Sequence, residues 1–192
     1  MQTDINTIFT GGNTGAAQAI TSSAVRSTGI YDLAAGAMLT GTTYAASPVS
    51  GGNYLINTAL LFSEDLAPGQ RRMRFLAFVG TAFAGGTSLN IAIQGAVDAS
   101  AGSYPANLSG LSWTTYAETG AIPVANINVA NSLIALPDWP DRLIKAAMPR
   151  FISLLYTPVG TFSTGTISFA GMTINKPDFN ALQYVGGFTV SQ

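Results

Sequence analysis

Eight short runs rich in β-branched and aromatic residues, each bounded by Gly, Pro, Asn or Ser, constrain this chain more than any other feature. They are Tyr54 to Phe62, Arg72 to Val79, Ser88 to Gln94, Leu111 to Tyr116, Ile127 to Leu136, Phe151 to Thr157, Thr166 to Ile174 and Tyr184 to Val190. Runs of this length between turn residues predict strands, and so many of them predict an all-β sandwich of antiparallel strands. At 192 residues the chain is long enough for one such domain with a real core, and no internal boundary divides it.

An internal echo supports the sandwich. Arg74-Phe75 opens a run that reaches Val79-Gly80-Thr81-Ala82-Phe83-Ala84-Gly85-Gly86-Thr87, and Arg150-Phe151 opens one that reaches Val159-Gly160-Thr161-Phe162-Ser163-Thr164-Gly165-Thr166. Two similar hairpins are predicted, with glycines supplying positive φ and Phe83 and Phe162 capping the apolar layer between sheets. A spacing of about 76 residues is too long for a solenoid, so the echo suggests related halves of one sandwich.

The rest of the chain elaborates that core. Residues 10–29 are rich in Gly, Thr, Ser and Ala with little periodicity, and residues 1–29 read as an extended N-terminal arm outside the core. Residues 39–69 read as an elaborated loop region around one strand, and residues 175–192 as a C-terminal arm. At most one or two short helices are expected. Asp141 to Met148 is the candidate, with Pro140 at its first turn and Pro149 closing it.

Composition then removes much chemistry. The chain has no His and no Cys, so the common general base, the thiolate nucleophile and the usual zinc ligands are missing. Only 8 Lys+Arg and 9 Asp+Glu are present, 9% charged against roughly 25% in an average soluble domain, while 47% of residues are hydrophobic. The polar surface must come from Thr, Ser, Asn, Gln and 21 glycines, and such a neutral surface suits packing against other protein. A net charge of −1 gives no footprint for nucleic acid or anionic lipid, so neither is expected as a partner. Nothing basic precedes Arg26, which argues against a secretory leader and, with it, against a small outer-membrane barrel. No apolar run reaches the roughly 18 residues of a membrane helix, and synthesis in the cytoplasm is expected.

Motif searches end the same way. Gly11-Gly12-Asn13-Thr14-Gly15 is not followed by Lys-Ser/Thr, so it is no P-loop. A serine nucleophile lacks a histidine, and Arg142 and Thr173 stand three residues before the two lysines, where a Ser-x-x-Lys pair would need serine. The carboxylates Glu64, Asp65, Asp98, Glu118, Asp138, Asp141 and Asp178 follow no glycosidase or calcium-loop order. Asn107-Leu108-Ser109 is a glycosylation sequon that, without a leader, marks only a loop. The reading is a non-enzyme with no catalytic residue, metal or cofactor.

Two features stand out as surfaces. Arg71-Arg72-Met73-Arg74 is the densest charge, and alternation puts Arg72 and Arg74 on one strand face with Arg71, Met73, Phe75 and Ala77 on the other. It reads either as a docking patch or as a solvated strand start guarding a sheet edge. Trp139, between Asp138 and Pro140, either anchors a partner or pins its own loop.

Several stretches resemble the capsid cement (decoration) proteins of short-tailed bacteriophages. They are Ala17-Gln18-Ala19-Ile20-Thr21 through Tyr31-Asp32-Leu33, Thr81 to Leu89, Arg150-Phe151-Ile152-Ser153-Leu154-Leu155-Tyr156, Gly160 to Thr166, and the ending Gln183-Tyr184-Val185-Gly186-Gly187-Phe188-Thr189-Val190. The resemblance implies a jelly-roll-like β-sandwich on the outer surface of an icosahedral head, clamping major capsid protein subunits together as a homodimer or homotrimer. It adds Tyr184 and Phe188 to Arg71, Arg72, Arg74 and Trp139 as candidate partner-binding residues. The chain departs from the family by being longer, around 39–69 and 98–118. The rival expectation is a sugar-binding sandwich of a head fibre or tail spike, with Tyr104, Trp113, Tyr116 and Trp139 as stacking faces.

Overall fold

The computed structural model describes residues 8–11, 16–32, 37–40, 73–96, 111–138 and 149–174. Twelve strands make up nearly all of their regular structure: β1 (Ile8–Thr10), β2 (Gln18–Ala19), β3 (Val25–Arg26), β4 (Gly29–Asp32), β5 (Ala37–Thr40), β6 (Met73–Val79), β7 (Ser88–Ala96), β8 (Trp113–Glu118), β9 (Ile122–Pro123), β10 (Leu133–Ala135), β11 (Phe151–Val159) and β12 (Thr166–Ile174). A single 3-10 turn at Val124–Asn126 is the only helical element among the described residues. The expected helix at 141–148 and the strands expected at 54–62 and 184–190 lie outside them.

The strands form two antiparallel sheets packed as a sandwich. One is five-stranded, in the order β1-β12-β6-β10 with β2 also on β12; the other is seven-stranded, in the order β5-β4-β11-β7-β8 with β3 on β11 and β9 on β7. Alternation explains the packing. On β6, Phe75, Ala77 and Val79 are buried, and on β11 Ile152, Leu154 and Tyr156 are fully so. These residues meet Leu89, Ile91 and Ile93 of β7 and Ile167, Ala170 and Met172 of β12 in one apolar layer.

The echoed segments cap that layer, but they are not hairpins. Residues 80–87 carry the chain from β6 in the smaller sheet to β7 in the larger, and residues 160–165 carry it from β11 back to β12. The two arches lie against each other, with Ala84 N–H donating to Thr164 O at 3.1 Å and Ser163 N–H to Ala84 O at 2.8 Å. Phe83 and Phe162 fill the space beneath them edge to face, ring centroids 5.0 Å apart. β6 pairs with β12 as β7 pairs with β11, so the echo corresponds to an approximate two-fold axis that exchanges the sheets. The sequence pattern is that of a hairpin because both arrangements place a glycine turn between two strands. What separates them is whether the flanking strands pair with each other or with a second ribbon.

The N-terminal lead-in is also corrected. Its described parts are extended, as expected, but they belong to the core: Phe9 and Ile20 are completely buried, and β1 to β4 pair with β11 or β12. Pairing onto already formed strands needs no periodicity of its own, so Gly- and Ser-rich segments of two to four residues were enough. Residues 41–72 and 175–192, and with them most of the expected loop region and the whole C-terminal arm, lie outside the described residues.

Candidate partner-binding surface

Of the six candidate partner-binding residues, Arg74 is the one the structure describes. It stands on β6 opposite Thr173 and is exposed, while Phe75 beside it is buried. β6 lies between β12 and β10, but β10 pairs only with Leu76 to Phe78, so at Arg74 a described strand pairs on the β12 side alone. Arg71, Arg72, Trp139, Tyr184 and Phe188 lie outside the described residues.

The outer face of the smaller sheet carries a signal that sequence reasoning missed. The same alternation that turns Phe75, Ala77 and Val79 inward turns Leu76 and Phe78 outward, where solvated sheets carry polar residues. Both are half-buried, and Phe78 packs against Phe169 of β12 with ring centroids 6.1 Å apart. Next to Phe78 on β10 stands Leu133, 59% exposed, and before it in the preceding turn is Val129, 61% exposed. Lone exposed apolar residues are ordinary, but a run of them across three adjacent strands makes this face a candidate interaction surface.

Along the side where both sheets end, an open groove of about 450 Å³ is lined by Glu118, Thr119 and Ile122 from the larger sheet and by Leu133 to Pro137 from the smaller. Ile127, Ile134 and Leu136 make its floor and are buried. Glu118 accepts a hydrogen bond from Asn90 Nδ2 at 2.8 Å. Among the described residues no lysine or arginine lines the groove. The groove was not legible from sequence because its walls come from three strands, β8, β9 and β10, whose edge positions only the topology sets.

A chain of hydrogen bonds runs from the core between the sheets to the outer face of the larger sheet. Tyr156 donates to Thr10 Oγ1 at 2.8 Å, and Thr10 donates in turn to Gln18 Oε1 at 3.0 Å. Gln18 Nε2 donates to the Arg26 carbonyl at 2.6 Å, Arg26 Nη2 to Gln94 Oε1 at 2.9 Å, and Gln94 Nε2 to Thr115 Oγ1 at 3.0 Å. The guanidinium lies over the Trp113 ring, 4.0 Å from its centroid, and its buried Nη1 has no partner. Burial lowers the Arg26 pKa from its ordinary value to about 10, and burial pushes the Tyr156 phenol well above its ordinary value against a smaller opposing effect of the Thr10 hydrogen bond.

That arrangement bears on sugar stacking. The Trp113 face is already covered by Arg26, and Tyr116 packs on the core against Gly95. Tyr104 and Trp139, the other two stacking candidates, lie outside the described residues. Among the described residues no group of three or more His, Cys, Asp or Glu gathers as a metal set, and no helix is long and apolar enough to cross a membrane. Compared with known proteins, the chain matches no family model and no curated protein.

Proposed function

We propose that the chain is a structural virion protein, a capsid cement protein that binds the outside of a phage head and stabilises contacts between major capsid subunits. The observation that carries this reading is the outward apolar face of Leu76, Phe78, Phe169 and Leu133 on a chain with only 9% charged residues. Burying such a face against protein gains roughly 25 cal/mol for each Å² of apolar surface, and few charges must be stripped of water to do it. Modest affinity per copy then suffices, because repetition over a lattice raises the effective concentration of each contact. Self-association as a dimer or trimer adds to the same effect.

The test is to add the purified protein to heads lacking it and to map the particles by cryo-EM. Ordered density on the outer surface, at a fixed stoichiometry with the capsid protein, is the expected result. The double variant Leu76→Lys and Leu133→Lys should fold and fail to decorate. Heads that carry no such density, or decoration unchanged in the double variant, would overturn the proposal.

A further inference from the structure

The groove beside β10 has an open strand along one wall. Ser132 O accepts from Val79 N–H at 3.0 Å, so the Ser132 carbonyl faces β6. By alternation Ile134, opposite Ala77, faces β6 as well, and the backbones of Leu133 and Ala135 face the other way. No described strand pairs with that side. Leu133 and Ala135 therefore present two N–H donors and two carbonyls along the groove, above an apolar floor. Pro137 ends the row, since it has no N–H to offer.

We propose that this groove receives an extended segment of a protein partner, added as a strand to β10, with alternate apolar side chains on the floor and a Lys or Arg facing Glu118 and Asp138. Main-chain bonds to the edge would supply affinity, and the apolar floor would select every second side chain. The basic residue follows from charge: the described lining holds Glu118 and no cation, and the exposed Asp138 directly follows the lining residue Pro137. A second copy of this chain fits poorly, because β10 and the residues around it, 127–138, carry no lysine or arginine to face Glu118. The inference concerns the isolated chain and does not depend on the cement reading.

The probe is a capped peptide of alternating valine and threonine flanked by lysines, with a glutamate-flanked version as control, titrated into the full chain while backbone amide NMR shifts are followed. Saturable binding below about 1 mM is expected for the lysine peptide, with shifts centred on Ile122 and on residues 133–136. Ala135→Pro removes an outward donor and leaves the bonds to β6 intact, so it should fold with an unchanged melting temperature and bind at least 10-fold more weakly. Leu133→Ala, at an exposed position, should weaken binding several-fold and serves as the reading if the proline variant does not fold. Equal binding of both peptides, shifts elsewhere, or full affinity in the variants would overturn the proposal. So would self-association that Ala135→Pro abolishes, since the occupant would then be a second copy.

Discussion

At the level of single residues, Tyr156 and Arg26 have opposite consequences in alkali. Folded Tyr156 keeps its proton at a pH where the unfolded phenol, with a pKa of about 10, has lost it. The unfolded state then binds fewer protons, so stability falls as pH rises above 10, by up to about 1.4 kcal/mol per pH unit. Arg26 reverses the sign: burial lowers its folded value to about 10, below that of the unfolded chain, so above pH 10 the unfolded state holds more protons and stability rises. Urea midpoints from pH 8 to 11.5 should therefore fall less steeply in Tyr156→Phe than in wild type and more steeply in Arg26→Met. At pH 7 Tyr156→Phe should cost about 1 kcal/mol, the net value of one hydrogen bond, since Thr10 keeps Gln18. Neither role was legible in the sequence, because Thr10 and Tyr156 lie 146 positions apart. The burial of Phe83 and Phe162 was legible, because an aromatic between glycines at a strand end has few other places to go.

Among the elements, the arches concentrate the cost of change. Gly165 has φ of 152°, and a Cβ there would run into the Phe83 ring, so Gly165→Ala should cost about 1–3 kcal/mol of overpacking in addition to backbone strain. Gly120 shares the positive φ, at 70°, but a Cβ there meets nothing within 4 Å, and Gly120→Ala should cost only about 1–2 kcal/mol. Denaturant melts of the two variants check the contrast, and similar losses would show that space is not what distinguishes them. A double-mutant cycle with Phe83→Leu and Phe162→Leu should return a coupling of about 0.5–1.5 kcal/mol from their edge-to-face contact. Sequence periodicity located five of the long strands closely: β6, β7, β8, β11 and β12. It stretched β10 back to Ile127, which lies in a turn, because buried turn residues and strand residues share the same apolar composition.

For the whole molecule, on the proposed cement reading, the shortage of charge sets how attachment to a shell should respond to solvent. Raising salt to about 1 M shrinks the Debye length to roughly 3 Å and removes whatever ion pairs supply. If apolar and backbone contacts hold the protein, decorated heads should keep it through that change and lose it in urea or guanidinium. Sedimentation of heads after each treatment measures this, and release by salt alone would count against the mechanism. The overall architecture was readable from strand runs and glycines, whereas the binding surfaces were not, because they depend on which strands lie at edges and which faces stay outside. The pairing of β1 with β12 and of β7 with β11 has one more consequence, for synthesis of the chain. On the ribosome neither sheet can close until β11 and β12 emerge, so the first hundred or so residues wait with unpaired edges. A chain halted before Phe151 would present bare, apolar strands to proteases and chaperones, and its lifetime in the cell should be short.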